Sequence, residues 1–465
     1  MRYISTRGAS PPVGFVDAFL AGLAPDGGLY IPEVWPQFTT AEIAALAGKP
    51  YAHVACEVLS RFIGDEIPRP ALMDMCVEAY ATFNHPAVVP LVQITPDGFI
   101  AELFHGPSLA FKDVAMQILA RLSDHVLSAR GRTQTILCAT SGDTGGAAVE
   151  AFRGRANTRI VAMFPDGRIS EVQRRFMTTA TDDNVRCLAV AGTFDDCQAI
   201  LKEALADTDL QQAVGLSAVN SINFARIVAQ AVYYFTTAVA LGAPLRPIAF
   251  CVPSGNFGDG FAGYVAKQMG LPISTIVIAT NSNDILARAL NTGVYARGQV
   301  AATQSPAMDI QSASNFERLY FECAGRDGVR TGQAFRDFAQ GSVIEIPPES
   351  LRLMAETFVG VAVSEADTSA TLLRTLAETG EIICPHTAVA VAALNRRGPQ
   401  ADPVIVLATA HPAKFPEAVE AATGLIPTAP PRGQAVARLP ERFQAIAASS
   451  EAIKAFVREF AGVPA

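Results

Sequence analysis

From Gln134 onward the chain alternates short, apolar, β-branched runs with longer stretches whose apolar residues recur at helical spacing. No other feature constrains the fold as much. The runs are TILCAT, RIVAMF, NVRCLAV, PIAFCVP, STIVIAT, EIICP and PVIVLATA. Between some of them lie SEVQRRFMTTA, FDDCQAILKEALAD, NFARIVAQAVYYFTTAVAL and PESLRLMAETFVGVAV, which read as crossover helices. Runs that are apolar throughout, rather than alternating, suit strands buried on both faces of a mostly parallel sheet. The fold class is therefore α/β. At 465 residues the chain exceeds the size at which one hydrophobic core usually stops growing, so more than one subdomain is expected.

Residues 1–95 read differently, with the irregular Pro/Gly stretch PDGGLYIPEVWP followed by helical patterns without strong strands. We take them as an N-terminal extension on an α/β body spanning 96–425, within which a smaller subdomain covers about 131–230. The remainder, 426–465, begins with PTAPPRGQAVARLPERFQ and is expected to wrap the surface before a helix near Ser450–Phe460.

Hydrophobic residues make up 50% of the chain and charged ones 17%, yet every apolar run is short and broken by Gly, Pro or charge, which argues against membrane spans. The first residues, MRYISTRGASPPVGFVDAFL, lack the pattern of a secretory signal, so a cytoplasmic protein is expected. The eight cysteines are scattered singly without metal-ligand spacing. Buried free thiols, and no metal, follow. A net charge of −8 disfavours nucleic acid as a partner, although a local cluster of donors can still bind a small anion.

Three segments carry chemistry. In ELFHGPSLAFKD, a Gly-Pro turn leads to Lys112. A lysine that forms a Schiff base must be protected from water, but this segment alone better suits an ordinary lysine whose stem packs on a helix. In ATSGDTGGAAVEAF, a strand ends in Ser141, Gly142, Asp143 and Thr144 and a helix begins, a geometry that favours an anion or is simply a capped helix. In VPSGNFGDGFAGYVAK, Gly255 and Gly258 permit close backbone approach to a phosphate, and Ser254 and Asn256 add donors. Ligands of open α/β folds bind at the carboxyl ends of the strands, where all three segments should lie.

Together these segments resemble the threonine synthase family of fold-type II pyridoxal-phosphate enzymes. The resemblance extends through YISTRG, PDGGLYIP, FHGPSLAFKD, ATSGDTGG, NSINFARI, PSGNFGD, SNFER, CPHTAVA and TAHPAKFP, in the family's order. Ser108 stands where many members have Thr, and Gly146 where Ser is common. The resemblance implies mostly parallel, doubly wound sheets in two subdomains and pyridoxal 5'-phosphate as cofactor. It further implies that Lys112 bonds the cofactor and then moves protons, that Gly255, Asn256, Phe257 and Asp259 hold the cofactor's phosphate, and that the Thr409 hydroxyl faces the pyridine nitrogen. Ser141, Gly142, Asp143 and Thr144 would lie near the substrate's carboxylate. For the substrate's own phosphate the candidates are Arg226 and Lys414, with Ser108 or Asn223 as neutral donors. Arg226 equally suits a structural ion pair. His105, His386 and His411 fit best as packed, hydrogen-bonded residues.

The implied reaction converts O-phospho-L-homoserine and water into L-threonine and phosphate, the last step of threonine biosynthesis. The rivals are a threonine-synthase-like phospho-lyase giving 2-oxobutyrate, a serine or threonine dehydratase of the same fold type, and a silent scaffold, against which intact Lys112 and PSGNFGD argue. No regulatory insertion is evident, and a monomer or homodimer is expected. Because Asn256 and Asp259 fall in a turn rather than a core strand, replacing either should cost cofactor retention more than folding.

Overall fold

The computed structural model describes residues 1–219, 221–398 and 401–463. Asn220, the first residue of NSINFARI, lies outside them. The chain divides into two compact units, one formed by 1–77, 84–105 and 221–428, the other by 78–83, 106–220 and 429–465.

The first unit is built on a six-stranded sheet, in the spatial order Phe358–Ala362, Ile273–Thr280, Ile248–Pro253, Val404–Ala408, Gly98–Glu102 and Leu91–Gln93. Every neighbouring pair is parallel except the last, an antiparallel hairpin at the edge. The two central strands, Ile248–Pro253 and Val404–Ala408, are buried at every residue, as a sheet covered on both faces requires. Helix Pro385–Arg397 covers one face, packing Ala388, Val389 and Ala392 against Cys251, Val277, Val404 and Val406. Near the N-terminus, Tyr3–Ser5 pairs antiparallel with Tyr30–Pro32. Helix Tyr51–Ile63 follows and buries Val54, Ala55, Val58, Leu59 and Phe62, one stripe at i, i+3, i+4 spacing.

The second unit carries a five-stranded, wholly parallel sheet in the order Gln444–Ala447, Val185–Ala191, Thr158–Pro165, Gln134–Ala139, Leu216–Ala218. Side chains of successive strand residues point to opposite faces, and the core divides accordingly. Ile136, Cys138, Ile160, Ala162 and Cys187 pack with Met116, Ala147 and Ala151 of helices Lys112–Ala129 and Asp143–Phe152. Leu137, Val161, Met163, Leu188 and Val190 pack on the other side with Ile200, Leu201, Leu210, Ile453 and Val457. This is a doubly wound sheet. Helix Lys112–Ala129 belongs to this unit and Phe224–Ala240 to the first.

Three local readings need correction. EIICP is not a strand: residues 381–384 have no ladder partner, and Cys384 instead caps helix Pro385–Arg397, its sulfur accepting from the Thr387 N–H at 3.5 Å. The apolar run is buried by helix entry rather than by a sheet. Within PESLRLMAETFVGVAV the helix ends at Ala355, and Phe358–Ala362 forms the missing edge strand. Gly360 permits this, because a Cβ there would lie 2.5 Å from Ala287 Cα. The C-terminal segment ends in helix Ser450–Ala461 as expected, but Gln444–Ala447 also adds an edge strand whose residues are largely exposed and so give little hydrophobic signal.

All eight cysteines are buried and free. Among the described residues, no helix is long and apolar enough to cross a membrane, and no group of His, Cys, Asp or Glu is placed to hold a metal ion.

Candidate active site

In the second unit Lys112 is the first residue of helix Lys112–Ala129, at the end of a tight turn. Asp113 is fully buried and holds this turn, its carboxylate accepting from the Ser108 N–H at 2.7 Å and the Ser108 hydroxyl at 2.8 Å. Gly106 makes that approach possible, since a Cβ there would stand 2.5 Å from Asp113 Cβ. Leu109 takes a left-handed backbone at φ 61°, uncommon for a branched side chain. Lys112 Nζ lies 3.7 Å from Asp143 Oδ2, and both side chains are largely shielded, with exposures of 14% and 8%. An amine held out of bulk water is what a nucleophilic or proton-transferring lysine requires.

Asp143 begins the helix that follows strand Gln134–Ala139. The Thr140 hydroxyl ties this turn by accepting from the N–H groups of Gly142 and Gly145, both at 2.9 Å. Gly142 sits at φ 137° against Gln173, where any Cβ would come within 2.4 Å of the amide carbon, and Gln173 donates to Asp143 Oδ1 at 3.1 Å. Ser141 is exposed and Thr144 half-buried. Gly146 lies 3.8 Å, measured from an added Cβ, from Ser108 Cβ, so the two departures from the family pattern are neighbours. Ser108, Lys112, Gly142, Asp143 and Thr144 are thus brought together.

In the first unit, strand Ile248–Pro253 runs into Ser254, Gly255, Asn256 and Phe257 and then helix Gly258–Gln268. Phe257 adopts a left-handed backbone at φ 61°, and no side chain caps the helix, so its first-turn N–H groups face outward for an anion. Gly255 has no room for a side chain, because a Cβ would meet the Ala307 carbonyl at 2.8 Å. Asn315 braces the turn from behind, donating from both its backbone and its side chain to the Asn256 carbonyl at 3.1 Å. Ser254 is 4% exposed and its hydroxyl meets no hydrogen-bond partner among the described residues. Asp259 lies deeper, its Oδ1 accepting from the hydroxyls of Tyr233 and Tyr234 while Oδ2 is buried without a hydrogen bond. Burial pushes this carboxyl up to about 7 against the pull of the two tyrosines.

Thr409 follows strand Val404–Ala408, which pairs in parallel with Ile248–Pro253 from Val404 opposite Ala249 to Val406 opposite Cys251, and is buried. His411 comes next, its Nδ1 accepting from the Ala413 N–H at 3.1 Å and its ring meeting Phe104 edge-on. Burial, helped by His105, lowers its pKa to about 4, so it is neutral near pH 7. Lys414 and Arg226 are buried at 1% and 4% exposure. Asn223 caps helix Phe224–Ala240 by accepting from the Ala225 N–H, and it donates to the Phe19 carbonyl at 2.8 Å, which leaves its amide structurally engaged. The other motif histidines are also packed and bonded: His105 contacts Glu102 Oε2 at 2.8 Å and Asn84 Oδ1 at 3.0 Å, and His386 accepts from the Ala307 N–H.

Sequence reasoning assigned no role to Asp113, Thr140, Gln173 or Asn315. Asp113, Thr140 and Asn315 sit inside the quoted motifs FHGPSLAFKD, ATSGDTGG and SNFER, and a polar residue within a motif was the available signal. Gln173 has none, being a polar residue on a helix remote in sequence.

Profiles described as "Threonine synthase N terminus", "Pyridoxal-phosphate dependent enzyme" and "Threonine synthase, C-terminal" match residues 2–80, 98–410 and 387–457. The threonine synthase of Pseudomonas aeruginosa is 47% identical over 432 residues, 92% of each chain. A crystal structure of pyridoxal-phosphate-bound threonine synthase from Brucella melitensis is 50% identical, with a TM-score of 0.97 over 99% of both chains. That of the yeast threonine synthase is 38% identical, with a TM-score of 0.93 over 99% of both.

Proposed function

This chain belongs to the threonine synthase family of pyridoxal-phosphate-dependent enzymes, and from that premise we propose that it converts O-phospho-L-homoserine and water into L-threonine and phosphate. The observation that carries the reading is the full-length match, in which segments particular to threonine synthases flank the cofactor-enzyme body on both sides. Its cofactor is pyridoxal 5'-phosphate, and the residues suit that group. The uncapped helix start at Gly258, the side-chain-free approach at Gly255 and the unpartnered, buried Ser254 hydroxyl together favour a phosphate.

In this reading Gly255, Asn256 and Phe257 hold the cofactor's phosphate, and Asp259 contributes through its place in the first turn of the helix, since its carboxylate is turned to the tyrosines. Lys112 would hold the cofactor covalently until substrate releases its amine. Pyridoxal phosphate, when bound, supplies the electron sink that makes protons on the substrate's carbons removable. The Lys112 amine takes and returns those protons, with Asp143 fixing its position at the mouth of the second-unit turn. Thr409 offers the pyridine nitrogen a hydroxyl, which does not force a proton onto that nitrogen as a carboxylate would. Ser141, Gly142, Asp143 and Thr144 form an anion-favouring turn for the substrate's carboxylate. Arg226 and Lys414 answer the substrate's phosphate, where charge-assisted hydrogen bonds are strongest, while the Ser108 hydroxyl and the Asn223 amide already serve Asp113 and the Phe19 carbonyl. A cytoplasmic monomer or homodimer, with 1–95 as an extension of the 96–425 body and 426–465 as a C-terminal wrap, completes the reading.

The test is turnover of O-phosphohomoserine in oxygen-18 water with mass spectrometry of the products. Threonine carrying the label in its β-hydroxyl is expected. Stoichiometric 2-oxobutyrate with little labelled threonine would overturn the synthase assignment and favour the phospho-lyase reading.

A further inference from the structure

The C-terminal residues 429–465 belong to the second unit, and their short helix Pro431–Val436 reaches back to the Lys112 turn. Arg432 donates from Nε to the Pro107 carbonyl at 2.8 Å and from Nη2 to Glu150 Oε2 at 2.6 Å. Pro107 lies in the turn that ends at Lys112, and Glu150 lies on the helix that begins at Asp143. One guanidinium therefore spans the two elements that carry the Lys112–Asp143 pair. Glu150 is only 9% exposed and is also met by Arg153, whose Nη1 lies 3.6 Å from its other oxygen, so the acceptor is held on both sides.

The same helix covers Leu109. Leu109, Phe176 and Val436 form one buried cluster, and an added Cβ at Gly433 would stand 3.4 Å from Leu109 Cδ1. A leucine at φ 61° is a conformation that persists only where its surroundings hold it. Asp113 grips the turn through Ser108, and the C-terminal helix closes it from the other side.

We propose that Arg432 is a positioning residue for Lys112, so that the C-terminal segment governs turnover without touching substrate or cofactor. The proposal rests on the assignment of Lys112 as the cofactor-bearing base. In the holoenzyme, Arg432→Ala is expected to lower kcat about tenfold while KM stays within about twofold, because a small misplacement of a reacting group costs rate rather than binding. Cofactor content should be nearly unchanged, and the melting temperature should fall only modestly, because Arg153 still faces Glu150 at 3.6 Å. Guanidinium at millimolar concentration should restore much of the lost kcat, whereas Arg432→Lys, a point charge that cannot fork between two acceptors, should restore little.

Wild-type kcat in Arg432→Ala, or a loss that tracks the melting temperature and resists guanidinium, would overturn the proposal. Should Arg432→Ala fail to fold, Glu150→Gln with amide hydrogen exchange across residues 106–113 serves instead: faster exchange supports the proposal and unchanged exchange refutes it. Failure of the underlying assignment would look different, since Lys112→Ala would then retain turnover.

Discussion

Asp259 offers the sharpest test of the physical picture, because its sequence setting and its structural setting predict opposite results. As a turn residue in PSGNFGD it should matter for cofactor retention and little for folding. In the structure its carboxyl is buried beneath helix Phe224–Ala240 and serves as the common acceptor for Tyr233 and Tyr234. Asp259→Ala removes that acceptor and leaves the buried Tyr233 hydroxyl unpaired, at about 1–3 kcal/mol, whereas the Tyr234 hydroxyl keeps the Asp259 backbone carbonyl at 2.9 Å. Asp259→Asn keeps the acceptor and removes the charge.

The pH dependence follows from the raised pKa, about 7 against an ordinary 3.8. Between those values the folded chain holds a proton at this group that the unfolded chain has lost, so stability falls as pH rises through the window. Below it both states are protonated, and above it both are ionised. At about 1.4 kcal/mol per pH unit, the loss reaches roughly 4 kcal/mol as a ceiling. Asp259→Asn has no such slope. Urea unfolding of the two holoenzymes should therefore give similar midpoints near pH 4 and a more stable Asn variant near pH 8, with every other titrating group cancelling in the difference. Parallel profiles across that range, or an Ala variant as stable as the Asn variant, would refute the reasoning.

Lys112→Ala should abolish both turnover and the visible absorbance of covalently held cofactor, and an unchanged band would reject the assignment. Gly106→Ala forces a methyl group to 2.5 Å from Asp113 Cβ and should lower kcat about tenfold or more, measured beside the melting temperature. Arg226→Gln or Lys414→Gln should raise KM for O-phosphohomoserine about tenfold, the worth of one charge-assisted hydrogen bond, and leave cofactor content unchanged. A fall in cofactor content would move these residues to the other phosphate.

The strands most legible in the sequence are those whose burial is total. Ile248–Pro253 and Val404–Ala408 contribute apolar side chains to both faces, so their runs are unbroken and unmistakable. Gln444–Ala447, an edge strand with mostly exposed residues, has no such signature, and its pairing with Val185–Ala191 is set by tertiary packing. EIICP misleads for the converse reason: Ile383 and Cys384 are buried because a helix enters the core there, and hydrophobicity records burial without recording which element achieves it.

The site shows the same division between what a motif specifies and what the fold adds. Glycines are readable where backbone must approach closely, and Gly106, Gly142 and Gly255 each stand where a Cβ would strike a neighbour. Two of their neighbours are not readable, because Gln173 and the Ala307 carbonyl reach them through a helix start and a loop whose paths no local pattern encodes, whereas Asp113 lies in the same motif as Gly106. The same limit governs charge. Asp259 and His411 sit in motifs with ordinary sequence surroundings, yet burial moves the first up to about 7 and the second down to about 4. Both shifts favour the neutral form, so near pH 7 the first unit keeps its imidazole uncharged beside Thr409 and leaves much of Asp259 protonated under the phosphate-favouring turn. A fully ionised carboxylate at that depth would oppose an anion at Gly255 and Asn256, and the burial of Asp259, acting against the pull of its two tyrosines, is what relieves the conflict.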